Sequence, residues 1–124
     1  MRSLKVLYVD DEEDLRDLAR LALEMDGHMA VQIADTGEAA LQKLAATQFD
    51  AVLLDYMMPG IDGLTVMTRL RDLPANTTTP IIFVTARTQG DLHQSLLARG
   101  VLAVITKPYD PFTLAQQVRN ALGD

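Results

Sequence analysis

Residues 51–63 read Ala51-Val52-Leu53-Leu54-Asp55-Tyr56-Met57-Met58-Pro59-Gly60-Ile61-Asp62-Gly63. Four consecutive apolar residues, closed by an acid and then by a Pro-Gly turn signal, describe a short strand with no polar face. Such a strand is covered on both sides, as in parallel sheets wrapped by helices. Four further apolar runs share this form: Val6-Leu7-Tyr8-Val9, residues 29–34, Ile81-Ile82-Phe83-Val84 and residues 101–105. Most are rich in β-branched residues, which favours strand over helix.

The intervening segments carry helical spacing. Leu15, Leu18, Ala22 and Met25 recur at i, i+3/i+4, i+7, and so do Phe112, Ala115, Val118 and Leu122. Asp35-Thr36-Gly37-Glu38 reads as a capping box, Asp110-Pro111 as an N-cap before a first-turn proline, and Asp62 as the cap of a third helix. The pattern is (βα)₅ over residues 1–124, an α/β chain with a doubly wound parallel five-stranded sheet. The more mixed run Met29-Ala30-Val31-Gln32-Ile33 suits an edge strand.

The chain has 124 residues, the size of one domain, and 48% are apolar, enough for one core without staples. It contains no cysteine, which excludes disulfides and thiolate chemistry. The 17 acidic residues outweigh 11 Lys and Arg, for a net charge of −6, the wrong sign for neutralising a nucleic-acid backbone. No apolar stretch reaches the roughly 18 residues of a membrane span, and the apolar run after Lys5 ends at Asp10, too early for a secretory signal. A soluble, cytoplasmic protein is expected.

The chemistry is concentrated where the strands end. The first run ends at Asp10-Asp11, the third at Asp55, the fourth at Thr85 and the fifth at Thr106-Lys107. Parallel strands bring their carboxyl ends to one edge, where ligands of open α/β sheets bind. Three carboxylates, a hydroxyl and an ammonium would therefore converge. Hard oxygen donors in this number suit Mg²⁺, and a carboxylate is also a competent nucleophile toward phosphorus. Aspartate is ionised at neutral pH, so no general base is needed.

These motifs together resemble the response-regulator receiver domains of two-component signalling. The likeness rests on Tyr8-Val9-Asp10-Asp11-Glu12, on residues 55–63, on Val84-Thr85-Ala86 and on Thr106-Lys107-Pro108-Tyr109, and it covers the whole chain. It implies a flavodoxin-like strand order 2-1-3-4-5. It also implies Asp55 as phosphoacceptor, with Mg²⁺ held by Asp10, Asp11, Asp55 and the backbone carbonyl of Met57. Thr85, the Ala86 amide and Lys107 would contact the phosphoryl group, and the Lys107–Pro108 bond would be cis. The implied donor is a phosphohistidine on a sensor histidine kinase or a histidine phosphotransfer protein, or a small acyl phosphate. The recipient of the signal is a downstream protein or a covalently attached output domain.

One position departs from the family. Where the family usually places an aromatic that rotates as the threonine moves, this chain has Val104, which leaves a quieter switch at Thr85 and Val104 or a buried contact, with the contact favoured. Met57 and Arg87 stand where family members tune acyl-phosphate lifetime.

Plainer readings stand beside these. Glu12 to Asp14 suit an acidic first helical turn, favoured by the helix dipole. Tyr8, Tyr56, Tyr109 and Phe112 read as packing residues, His28 and His93 as surface residues, and one of Met57 and Met58 as partly exposed. A Mg²⁺-dependent phosphatase resembling the haloacid-dehalogenase family is a rival, but its Asp-x-Asp motif is here an adjacent Asp10-Asp11 pair. A docking module indifferent to phosphorylation is another. A free-standing chain is expected over the receiver part of a longer protein.

Overall fold

The computed structural model describes residues 2–86 and 90–123. The chain alternates β1 (Leu4–Val9), α1 (Glu13–Glu24), β2 (Met29–Ala34), α2 (Gly37–Ala46), β3 (Ala51–Asp55), α3 (Gly63–Leu70), a 3₁₀ turn (Pro74–Asn76), β4 (Ile81–Thr85), α4 (Gly90–Ala98), β5 (Ala103–Thr106) and α5 (Leu114–Leu122). All five strands are parallel, in the order β2-β1-β3-β4-β5, with the mixed β2 at an edge as its composition predicts. The fifth strand starts two residues later than the apolar run that foretold it.

Strand alternation divides the core into two layers. Leu4, Val6 and Tyr8 of β1, with Leu53, Ile82, Val84 and Ile105, pack against Ala19, Ala22, Leu23, Leu114 and Val118 of α1 and α5. Leu7, Val9, Val52, Leu54, Ile81 and Phe83 face the opposite way, toward Ala40, Leu44, Val66, Leu70 and Leu96 of α2, α3 and α4. β3 and β4 are buried along their whole length, as their unbroken apolar runs require.

Several local expectations are corrected. α1 buries Ala19, Ala22 and Leu23, a face with small residues that lets the helix lie close to the sheet, whereas Leu18 and Met25 are exposed. The capping box at 35–38 does not form: the N-cap is Thr36, one residue later, and its hydroxyl accepts from the Ala39 amide at 3.0 Å. Asp110 does not cap α5 directly. Its carboxylate accepts from the Phe112 amide at 2.9 Å and its carbonyl from Thr113 at 3.1 Å, which closes a separate turn before the helix begins at Leu114. Phe112 lies in that turn and is 82% exposed, so it is no packing residue. Asp62 does cap α3, accepting from the Thr65 amide at 2.9 Å.

Two features hold the strands in place, Gly63 at the sheet edge that carries the chemistry and Asn76 at the opposite one. Gly63, the first residue of α3, lies so close that a Cβ there would stand 2.7 Å from the Asp55 carbonyl oxygen and 2.5 Å from the Phe83 ring. Asn76, 1% exposed, joins three segments: its amide nitrogen donates to the Leu44 and Thr47 carbonyls, and its oxygen accepts from the Phe49 amide and the Thr79 hydroxyl. That amide uses its full hydrogen-bonding capacity, so it locks the end of α2 to the approaches of β3 and β4.

Candidate functional site

The polar strand ends meet at the carboxyl edge. One carboxylate oxygen from each of Asp10, Asp11 and Asp55 lies within 4.8 Å of the others. Asp10 has no exposed surface, Asp55 is 7% exposed and Asp11 faces solvent. Lys107 reaches across 97 residues of chain to place its Nζ 2.9 Å from Asp10 Oδ2 and 3.4 Å from Asp55 Oδ2. A cavity of about 240 Å³ is lined by Asp11, Glu12, Asp55, Met57, Thr85, Ala86 and Lys107. Each sequence-predicted site residue within the described range is thus at this edge, except Val104. Val104 is half-buried on the other layer, in register with Phe83. Arg87 lies outside the described residues.

The local backbone explains the placement. Val9 is the last residue of β1, so Asp10 leaves the sheet on the same side as Tyr8 and turns into α1. Asp10 Oδ1 accepts from the Glu12 amide at 3.0 Å, and Arg16 of α1 holds the Asp10 carbonyl through Nη1 at 2.9 Å. Glu13 and Asp14 occupy the first turn of that helix, where its dipole favours them. The Lys107 amide donates to the Thr85 carbonyl at 2.8 Å, which sets the two neighbouring strand ends side by side. The Lys107–Pro108 peptide is cis, as the resemblance implied. Met57 is 62% exposed and lines the cavity, while Met58 is buried in the core.

Electrostatics follow from burial and crowding. Burial pushes the Asp55 carboxyl up to about 6; Lys107 opposes this, the nearby Asp10 charge adds to it, and the Met57 amide lowers it. Burial works against the charge on Lys107, but its hydrogen bond to Asp10 and the charges of Asp55 and Asp10 outweigh that and raise it above the ordinary lysine value. Three carboxylates with one ammonium leave an excess of negative charge facing a small cavity. Mg²⁺ takes oxygen ligands at roughly 2.0–2.1 Å in an octahedron, so adjacent donors stand about 3 Å apart and opposite ones about 4 Å. The three carboxylate oxygens, within 4.8 Å of one another, stand near that spacing, and as hard oxygen donors they fit the ion.

Sequence reasoning missed two residues that border the site and touch it through Asp10. The Tyr8 hydroxyl lies 3.2 Å from Asp10 Oδ2 and 3.2 Å from the Tyr109 hydroxyl, so these rings do more than pack. Burial, with the Tyr109 contact next, raises the Tyr8 phenol well above the ordinary range, so it stays a protonated donor. The signal was present in the spacing: residues i and i+2 of a strand share a face, which puts a tyrosine two before Asp10 within reach of it. Tyr56 is a packing residue, edge-on to Phe83 with centroids 5.8 Å apart.

A second cavity of about 230 Å³ adjoins the first, sharing Ala86 and Lys107 and lined otherwise by Leu15, Leu18, Pro108 and Tyr109. Among the described residues no helix is long and apolar enough to cross a membrane.

Comparison with known proteins agrees with this fold. Residues 6–119 match the model of the response regulator receiver domain. The transcriptional regulatory protein CseB of Streptomyces coelicolor is 35% identical over 117 residues, 94% of this chain and 48% of that protein. The present chain therefore spans about half the length of that relative. Among solved structures, the chemotaxis response regulator CheY4 of Vibrio cholerae superposes with a TM-score of 0.86 at 29% identity, covering 96% of this chain and 98% of that one. The receiver domain of the Francisella response regulator 1452 gives the same TM-score at 26% identity, covering 98% of both chains.

Proposed function

Because this chain belongs to the response-regulator receiver domain family, whose members are switches of two-component signalling, we propose that it accepts a phosphoryl group on Asp55 from a phosphohistidine donor, with Mg²⁺ as cofactor. The observation that carries this reading is the meeting of the Asp55 and Asp10 carboxylates with Lys107 Nζ, at 3.4 and 2.9 Å, beside a third carboxylate and a cavity open to a donor.

The chemistry asked of the protein is positioning and charge neutralisation. With its carboxyl at about 6, Asp55 is mostly ionised at pH 7 and attacks phosphorus without a base. The new O–P bond forms as the P–N bond of the donor breaks, and the imidazole departs with that electron pair. Bound Mg²⁺ would neutralise charge on the phosphoryl oxygens, held by Asp10, Asp11, Asp55 and the Met57 carbonyl. Lys107 exchanges part of its contact with Asp10 for a phosphoryl oxygen. The Thr85 hydroxyl and Ala86 amide donate to the remaining oxygens, and hydrolysis by water resets the switch. The site serves a single turnover on its own side chain and is no general phosphatase.

A dianionic group in place of a carboxylate draws Thr85 and Lys107 inward and shifts a pre-existing equilibrium of the neighbouring loops and of the face formed by α4 and β5. Val104 gives that face a small side chain at the position of the usual aromatic. On this reading the partners are a sensor histidine kinase or a histidine phosphotransfer protein, and a downstream protein or attached output domain, in the cytoplasm. Intact-mass spectrometry after incubation with acetyl phosphate and Mg²⁺ tests it. One added phosphoryl mass on the wild type and none on Asp55→Asn is expected; an unmodified wild type overturns the reading.

A further inference from the structure

The contacts of Asp10 distinguish this site from a bare cluster of acids. Its carboxylate is wholly buried and has three donors on two oxygens: the Glu12 amide on Oδ1, and both Lys107 Nζ and the Tyr8 hydroxyl on Oδ2. A carboxylate only accepts, and a phenol has one hydrogen, so the Tyr8 hydrogen is committed to Asp10. The contact between the two phenols must then run the other way, with Tyr109 donating to the Tyr8 oxygen. The result is a directed chain of hydroxyls, from half-exposed Tyr109 through buried Tyr8 to Asp10.

We propose that Tyr8 is a positioning residue for Asp10, the donor that keeps this buried carboxylate satisfied and oriented when Lys107 is drawn to the phosphoryl group, and that Tyr109 fixes the direction of its donation. The proposal rests on the phosphoacceptor reading of the site. While Lys107 sits on Asp10, the Tyr8 hydroxyl is one of two side-chain donors to the same oxygen, and its loss is partly covered. Once Lys107 turns to the phosphoryl group, Tyr8 is the side-chain donor that remains on Asp10 Oδ2 among the described residues, and its loss removes the last side-chain hydrogen bond that orients this ligand of the ion. The hydroxyl therefore contributes more to the phosphorylated state than to the resting one. Tyr8→Phe keeps the ring in its layer of the core and removes only that contribution.

Isothermal titration of the full chain separates the possibilities, using Mg²⁺ alone and then beryllofluoride, a phosphoryl mimic, at saturating Mg²⁺. For Tyr8→Phe, beryllofluoride affinity should fall roughly ten- to a hundredfold, the scale of one hydrogen bond to a charged group. Mg²⁺ affinity and melting temperature in EDTA should stay near the wild-type values. Tyr109→Phe should give a smaller loss, about two- to threefold, in the same direction. Beryllofluoride affinity in Tyr8→Phe within twofold of wild type, or tighter, overturns the proposal and leaves the phosphoacceptor reading intact. So does a loss for beryllofluoride matched by an equal loss for Mg²⁺ and a lowered metal-free melting temperature, which marks a structural role only. If Tyr8→Phe does not fold, Tyr109→Phe decides on its own by whether it weakens beryllofluoride but not Mg²⁺. A wild type that binds Mg²⁺ but not beryllofluoride, or neither, overturns both readings.

Discussion

Arg119 of α5 grips Asp26, in the turn between α1 and β2, through two parallel hydrogen bonds: Nε to Oδ1 at 2.8 Å and Nη2 to Oδ2 at 2.6 Å. Only 2% of the Arg119 side chain and 8% of the Asp26 side chain remain exposed. The pair spans 93 residues of chain and ties the last helix to the first helical unit, at the end of the sheet away from the acidic cluster.

Removing one partner leaves a buried charge without its main counter-ion. Asp26→Asn should cost about 3 kcal/mol of stability in urea denaturation at pH 7. The replacement of both residues by apolar ones of similar size should cost less than the single change, and a single change within a few tenths of wild type would show the pair to be inert.

The same pair sets a pH dependence. Hydrogen bonds from Arg119 hold the Asp26 carboxyl below the usual carboxylate range, against the opposing effect of burial. A depressed folded-state value means that the unfolded chain binds the proton first. The contribution is complete above the unfolded value near 4 and is lost as pH falls through the folded one. Acid unfolding of Asp26→Asn should lack this component, so its stability curve below about pH 4 should be shallower than the wild-type curve.

Asp55 predicts the opposite slope. Its carboxyl is raised to about 6, chiefly by burial, so the folded protein holds a proton that the unfolded chain has released. In metal-free buffer, stability should therefore decline as pH rises from about 4 to about 6. Asp55→Asn should remove that decline and, at pH 7 in EDTA, exceed the wild type in stability by an amount on the order of 1 kcal/mol, read as a higher melting temperature. A lower melting temperature for this variant would show that Lys107 more than offsets the carboxylate crowding.

Mg²⁺ should raise the melting temperature of the wild type, since at a hundred times the dissociation constant a ligand adds about 2.7 kcal/mol. Asp11→Ala keeps the buried carboxylates and removes the exposed one, and should lose most of that shift. Equal shifts in the two proteins would mean that the ion is held elsewhere.

Asn76→Ala should destabilise by about 3 kcal/mol without altering Mg²⁺ affinity, because it strands buried backbone groups of Leu44, Thr47 and Phe49 far from the acidic edge. Urea denaturation paired with a Mg²⁺ titration checks both halves.

Strand-ending acids, the alternation of apolar runs and the Pro-Gly turn signal after Asp55 were enough to read the (βα)₅ pattern and the convergence of Asp10, Asp11, Asp55, Thr85 and Lys107. Those features are local or follow from parallel topology, which forces every strand to deliver its last residue to the same edge. The strand order itself came from family likeness, since apolar runs carry no label for their neighbours.

What only the folded chain decided are the choices between equivalent local solutions. Leu15, Leu18, Ala22 and Met25 fit a helical stripe as well as Ala19, Ala22 and Leu23 do, and the close approach of α1 to the sheet selects the latter. Asp110 and Thr113 each suit the start of α5, and the turn that Asp110 closes moves the helix onset three residues on, leaving Phe112 outside. Tyr8 with Tyr109, Asp26 with Arg119, and Asn76 with its three segments are partnerships between residues far apart in the chain. Side-chain chemistry says that such buried groups must find partners, but the identity of each partner is set by distance, and distance exists only once the layers have packed.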